Sequence, residues 1–174
     1  MRPNPEDVFT ICTIEGRGRG IIANRDMSYG ETVLKEAPLL MMPPKGSVPR
    51  MFCILPRESL ESILLLHNER LEFPEVWAWE RGTAGYLMHY LTGIWTTNSL
   101  DLANECAELS VLLLKGSLFN HSAHPNVVPV WDTSANEMEF VTCAEIKKGE
   151  ELLIDYAPNG WGAKRPDWYK GEIV

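Results

Sequence analysis

The chain is poor in cysteine and histidine, with four of each among its 174 residues. Cys12, Cys53, Cys106 and Cys143 are scattered, and no two form a C-x-x-C pair. Structural zinc needs ligands at short, fixed spacings, so none is expected and no metal ligand is assigned. No apolar run approaches the roughly 20 residues that span a bilayer. The opening residues, Met1 to Asp7, carry no signal-peptide apolar region. The chain is therefore expected inside the cell, nuclear or cytoplasmic, away from membranes and without disulfides. Basic residues are in deficit, 16 Lys and Arg against 24 Asp and Glu, a net charge of −8. That balance argues against direct nucleic-acid binding on a large footprint and is compatible with a basic peptide partner. Repeats, low-complexity tracts and linkers are absent from the sequence, and the length suits one domain with a core of useful size.

What is present changes period along the chain. Val8 to Ile14 and Ile21 to Asn24 are β-branched and flank the glycine turn Glu15-Gly16-Arg17-Gly18-Arg19-Gly20. Thr32 to Lys35 and Leu39 to Met42 read as further strands, and Pro43-Pro44-Lys45-Gly46 breaks the pattern. Leu60, Ile63, Leu64 and His67 stand at i, i+3, i+4 and i+7, which predicts a helix over 57–68. The aromatic stretch 69–97 is poorly periodic and predicts short helices. Glu108 to Lys115 reads as a helix ended at Gly116. Val127 to Trp131, Met138 to Cys143 and Leu152 to Asp155 read as strands. The expected fold class is α+β and rich in β, with short antiparallel sheets and a helical insert.

Two polar stretches adjoin apolar runs: Phe119-Asn120-His121-Ser122-Ala123-His124-Pro125-Asn126, and Gly149-Glu150-Glu151-Leu152-Leu153-Ile154-Asp155-Tyr156. Buried polar groups need partners, so such a cluster is either a satisfied structural network or a site. Each residue alone has a plain reading. Gly18-x-Gly20 is a hairpin turn, since a dinucleotide loop would open a helix and Ile21-Ile22-Ala23 reads as strand. Asn120-His121 ends an element, Tyr156 caps a strand, and Glu150 and Glu151 sit exposed in a turn.

Together, N-H-S-x-x-P-N and G-E-E-L-x-x-D-Y, about two dozen residues apart, resemble the signature of SET-domain protein methyltransferases. Gly18-Arg19-Gly20 followed by a strand resembles the family's first motif, so the resemblance spans roughly residues 8 to 170. It implies a single SET domain over 1–174. Residues 8–42 and 118–157 would be its two halves, 48–117 a helical insert and 158–174 a tail. The resemblance further implies a C-terminal pseudoknot, in which the strand before Tyr156 passes beneath the Asn-His loop. The implied activity is methyl transfer from S-adenosyl-L-methionine to a lysine of a peptide or protein, a histone among the candidates. Gly18, Arg19, Gly20, Asn98, Asn120, His121 and Tyr156 would bind the cofactor. Tyr156 would be catalytic, and Leu100 and Ile154 would lie by the substrate channel. Asn126 would support the motif without touching ligand. The alternatives are a SET pseudoenzyme that binds cofactor or a partner without transfer, and a SET scaffold acting on a small molecule. The sequence leaves the oligomeric state open.

Overall fold

The computed structural model describes residues 8–42, 51–52, 54–72, 82–102 and 109–156. The breaker at 43–46, Phe73, Trp77, Trp79 and the tail 158–174 lie outside the described residues. The chain forms two compact units, one of residues 1–37 and 118–174, the other of residues 38–117.

The first unit is built of strands. β1 (Phe9–Ile14) and β2 (Gly18–Ala23) form an antiparallel hairpin, with Ile14 opposite Gly18. β3 (Thr32–Glu36), β9 (Glu137–Thr142) and β8 (Val127–Asp132) form a second sheet in the order β3-β9-β8. β9 shows why it is a strand: Met138, Phe140 and Thr142 are buried and alternate with half-buried residues, the period of a sheet with one face inward. Pro129 cannot donate to a ladder and sits on β8, an edge strand of its sheet, where that loss is tolerated. The turn between β8 and β9 is tied by Asp132, whose Oδ1 accepts the Ser134 and Ala135 amides at 2.8 and 3.0 Å. The Ser134 hydroxyl, with those two amides, holds the Asp132 carboxyl below its usual pKa. Phe119 stacks on Phe140 in this unit, ring centroids 4.5 Å apart and both fully buried.

The third sheet of this unit pairs β7 (Asn120–His121) in parallel with β10 (Leu153–Ile154). Parallel neighbours need a long crossover, and the β8-β9 hairpin supplies it. The segment leading into β10 is also bonded on its other side to β2. Leu152 N–H donates to Ile21 O at 2.8 Å, and Ala23 N–H to Glu150 O at 2.9 Å. The C-terminal segment is thus fastened between β2 and β7, the contacts that the expected pseudoknot requires. Asn126 holds it a second time. Its Nδ2 donates to Glu151 O and its Oδ1 accepts from Leu153 N–H, both at 2.8 Å.

The second unit contains β4 (Leu40–Met42), α1 (Arg57–Ile63), α2 (Ala84–Asn98), β5 (Ser99–Asp101) and β6 (Ser110–Leu112). Its sheet has the order β4-β6-β5. Leu40, Met42, Phe52, Ile63, Leu66, Leu91, Ile94, Trp95 and Leu112 form its core. Three expectations are corrected here. The helix over 57–68 stops at Ile63, and Leu64 is 42% exposed rather than part of the buried stripe. The expected short helices over 69–97 give way, from Ala84, to one 15-residue helix. Leu91, Ile94, Trp95 and Asn98 are buried at i, i+3, i+4 and i+7, a stripe interrupted in sequence by threonines and a glycine that belong to other faces. Within the expected helix 108–115, residues 110–112 form the strand β6. A short apolar run has no period of its own, and pairing with β4 and β5 on both sides decides it.

Removing the Asn126 amide tests how far the first unit depends on that clamp. Asn126→Ala leaves Leu153 N–H and Glu151 C=O without these partners and is expected to cost about 2–4 kcal/mol of unfolding free energy. Asn126→Asp keeps the acceptor for Leu153 N–H but sets an oxygen against the Glu151 carbonyl, so it should not recover the loss. Urea denaturation of the three proteins measures this, and a loss under about 0.5 kcal/mol for Asn126→Ala would deny the clamp its weight.

Candidate functional site

Gly20 is where the three motifs of the first unit meet. A Cβ added there would lie 2.5 Å from Ile14 Cγ1, 2.8 Å from Asn120 Nδ2 and 2.9 Å from Glu151 Oε1. Side chains with a real Cβ do not pack so tightly, so glycine is required for the β1-β2 hairpin to approach Asn120 and Glu151 this closely. Asn120 Nδ2 donates to Arg19 O at 3.2 Å and to Glu151 Oε1 at 2.7 Å. Arg17, in the glycine turn, reaches Glu151 Oε2 at 3.4 Å. Gly18 adopts φ +74°, the left-handed conformation that suits glycine in such a turn.

The parallel pairing of β7 with β10 brings His121 against Tyr156. The Tyr156 backbone N–H donates to His121 Nδ1 at 3.1 Å, and the two rings lie 5.2 Å apart at 46°. A nitrogen that accepts carries no proton, so this bond fixes the neutral tautomer with its hydrogen on Nε2. Burial holds His121 below its ordinary pKa. Asp155 opposes this from 3.7 Å, and the Arg17 charge adds to it. The Tyr156 hydroxyl donates to Phe119 O at 2.7 Å. Phe119 is packed on Phe140, so the tyrosine is aimed by a rigid carbonyl.

Arg19, Gly20, Asn120, His121 and Tyr156 are therefore linked by short contacts in one unit, with Gly18 at the start of the same strand β2. Ile154 lies in the same unit, fully buried on β10. Asn98 and Leu100 belong to the second unit. There the Asn98 amide, at the end of α2, donates to Ile94 O in its own helix and to His67 O, 31 residues away, both at 2.7 Å, so its nitrogen serves the backbone of this unit. Leu100 is half-buried on β5. Asn126 supports the motif by bonding backbone about 25 residues away. Glu150 is exposed, as its turn position suggests, and accepts from Lys147 N–H. Glu151 corrects the expectation of an exposed turn: its side chain is 18% exposed and faces Asn120. The available signal was position, because Glu151 directly precedes the buried Leu152 in an extended segment and so points to the opposite face. Among the described residues no three His, Cys, Asp or Glu gather as a metal-holding group.

A hairpin glycine turn, an Asn-His strand and a tyrosine-ended strand joined in this way define a recognisable architecture. The chain belongs to the SET-domain family, whose model matches residues 18–157. It is 31% identical over 114 residues to a Schizosaccharomyces pombe protein named histone-lysine N-methyltransferase, H3 lysine-37 specific, covering 66% of this chain and 63% of that one. A second S. pombe histone-lysine N-methyltransferase is 22% identical over 156 residues, covering 90% of this chain and 44% of its own length. The chain thus spans less than two thirds of these curated relatives. A Plasmodium falciparum protein described as a candidate histone methyltransferase has a solved structure of the same fold, with TM-score 0.50 and 16% identity, covering 88% of this chain and 96% of that one.

The His121 bond predicts a pH dependence. With its folded pKa below the ordinary 6.5, the unfolded chain takes up this proton first on acidification. The stability it contributes is complete above about 6.5 and is lost as pH falls from there toward the folded pKa. NMR titration of the His121 ring should give a folded pKa under 6.5. The melting temperature should also fall more steeply with acid for the wild type than for His121→Ala. A ring that titrates above 6.5 would contradict the neutral acceptor.

Proposed function

We propose that the chain is an S-adenosylmethionine-dependent methyltransferase acting on protein lysine, with a histone or other basic peptide as substrate. The observation that carries this reading is the convergence of Gly18-Arg19-Gly20, Asn120-His121 and Tyr156 in one unit of a SET-domain chain. The names of the two S. pombe relatives support lysine in histones as the target class. The net charge of −8 suits a basic partner. A substrate of this kind places the protein in the nucleus or cytoplasm. No helix among the described residues is long and apolar enough to cross a membrane.

The residues present fit the cofactor. Its amino-acid end carries an ammonium and a carboxylate, and the cluster offers the Asn120 amide, with the exposed guanidinium of Arg17 beside it. When bound, the cofactor supplies a methyl group on a sulfonium, open to attack by an amine. Gly20 lets the hairpin backbone come close, and Asn120 and His121 form the opposing strand. Tyr156 has its hydrogen committed to Phe119 O, so toward a reacting group its oxygen acts as an acceptor. That oxygen suits weak C–H···O contacts with a methyl group and alignment of an amine. A free lysine has a pKa near 10.4 and must lose a proton before it attacks, which an apolar setting assists. Alignment of two reactants in this way supplies a large part of such catalysis.

The Tyr156 hydroxyl has both a visible structural bond and a proposed chemical role, and one substitution separates them. Tyr156→Phe should cost about 1 kcal/mol of stability for the lost bond to Phe119. Turnover should fall by roughly 10²-fold, the scale for misplacing a reacting group. Affinity for S-adenosylhomocysteine should change far less, because the loss belongs to the transition state. The measurements are melting temperature, calorimetry with S-adenosylhomocysteine, and radiolabelled methyl transfer to histones, cell lysate and small amines. Equal turnover in the two proteins would remove Tyr156 from the chemistry. Binding without transfer to anything would mark a pseudoenzyme, and transfer to small amines alone would mark a small-molecule enzyme.

A further inference from the structure

We propose that Glu151 is a positioning residue that fixes the orientation of the Asn120 amide, so that the site presents an acceptor, and not a donor, to whatever binds beside Gly20. The inference rests on the cofactor reading above. An asparagine amide can turn either way, and its two ends differ in chemistry: the nitrogen carries two hydrogens to donate, the oxygen accepts. Both nitrogen hydrogens are committed here, one to Arg19 O at 3.2 Å and one to Glu151 Oε1 at 2.7 Å. The second bond is the shorter and is assisted by the carboxylate charge. Flipping the amide would set its oxygen against two acceptors, which is repulsive at both. Asn120 is left with its oxygen alone to offer, and a ligand group meeting it must be a donor, such as an amine or ammonium.

Glu151 is itself held from several sides. Arg17 engages its second carboxylate oxygen at 3.4 Å, its backbone bridges Ile22, and its carbonyl accepts from Asn126 Nδ2. The missing Cβ of Gly20 leaves room for the Asn120–Glu151 contact, since an added methyl would lie within 2.9 Å of both partners. The chain thus uses a glycine, an arginine and a second asparagine to keep one carboxylate in place against Asn120. This carboxylate touches the amide and not the reacting atoms, so its influence passes through Asn120.

The test compares wild type, Glu151→Gln and Glu151→Ala. Gln can still accept the Asn120 hydrogen through its own oxygen, whereas Ala cannot. S-adenosylhomocysteine affinity by calorimetry should fall about tenfold in Glu151→Ala and stay within about threefold of wild type in Glu151→Gln. A merely structural role would lower melting temperature and affinity together in both variants, and that pattern would overturn the proposal. A readout free of ligand accompanies this. The Asn120 side-chain NH₂ resonances, assigned by NMR, should be shifted and protected from exchange in wild type and Glu151→Gln, and should lose both properties in Glu151→Ala. Unchanged Asn120 resonances in folded Glu151→Ala would overturn it. If wild type fails to bind S-adenosylhomocysteine, the cofactor reading falls, while the Asn120 resonances still decide whether Glu151 orients the amide.

Discussion

The first unit depends on one short segment being bonded along both of its edges. Residues 149–154 meet β2 on one side, through Ala23 and Ile21, and the loop from Asn120 to Asn126 on the other. Such a segment has little freedom to slip, because a shift of one residue would turn its buried Leu152 and Ile154 outward and Glu151 inward. Asn126 locks the register further, since its side-chain amide pairs with the strand backbone as another peptide group would. Everything chemical in the unit hangs from this register. It sets Glu151 against Asn120, and it sets Tyr156 against both His121 and Phe119.

The motifs made this unit readable before any coordinates. Asn120, His121 and Tyr156 are polar residues beside apolar runs, and polar groups in that position must find partners. The strands with clear alternation, such as 137–142, were readable for the same elementary reason. The second unit was less legible, and particular residues show why. Thr92, Thr96 and Thr97 interrupt α2 in sequence, yet each hydroxyl turns back to a carbonyl of its own helix, so the hydrophobic stripe survives. Ser110 to Leu112 is continuously buried between two strands, which erases the period that would have distinguished strand from helix. Glu151 is hard to place from sequence because composition around Lys147-Lys148-Gly149 suggests a turn. The turn ends at Glu150, one residue earlier.

The cluster also shows how neutral and charged groups share a small space. His121 stays neutral beside Asp155 because burial outweighs the nearby carboxylate and because the Tyr156 amide needs an acceptor. Glu151 stays half-buried beside Asn120 because Arg17 supplies an opposite charge. The two arrangements are complementary: one ring offers its lone pair to backbone, and one carboxylate offers its own to a side chain. Neither needs a metal to be satisfied.

The parallel pairing of Asn120 with Leu153 closes a loop of more than thirty residues, and the contact of Arg17 with Glu151 closes one of 134. Loops of that length are entropically unfavourable to close until other contacts hold their ends near each other. The local hairpins, β1 with β2 and β8 with β9, can form without them. Folding of this unit is therefore expected to run from hairpins toward the site, with Gly20, Asn120, Glu151 and Tyr156 meeting among the last contacts made. A species arrested before that closure would carry near-complete sheets and no site, so strand content alone would be a poor witness of native protein.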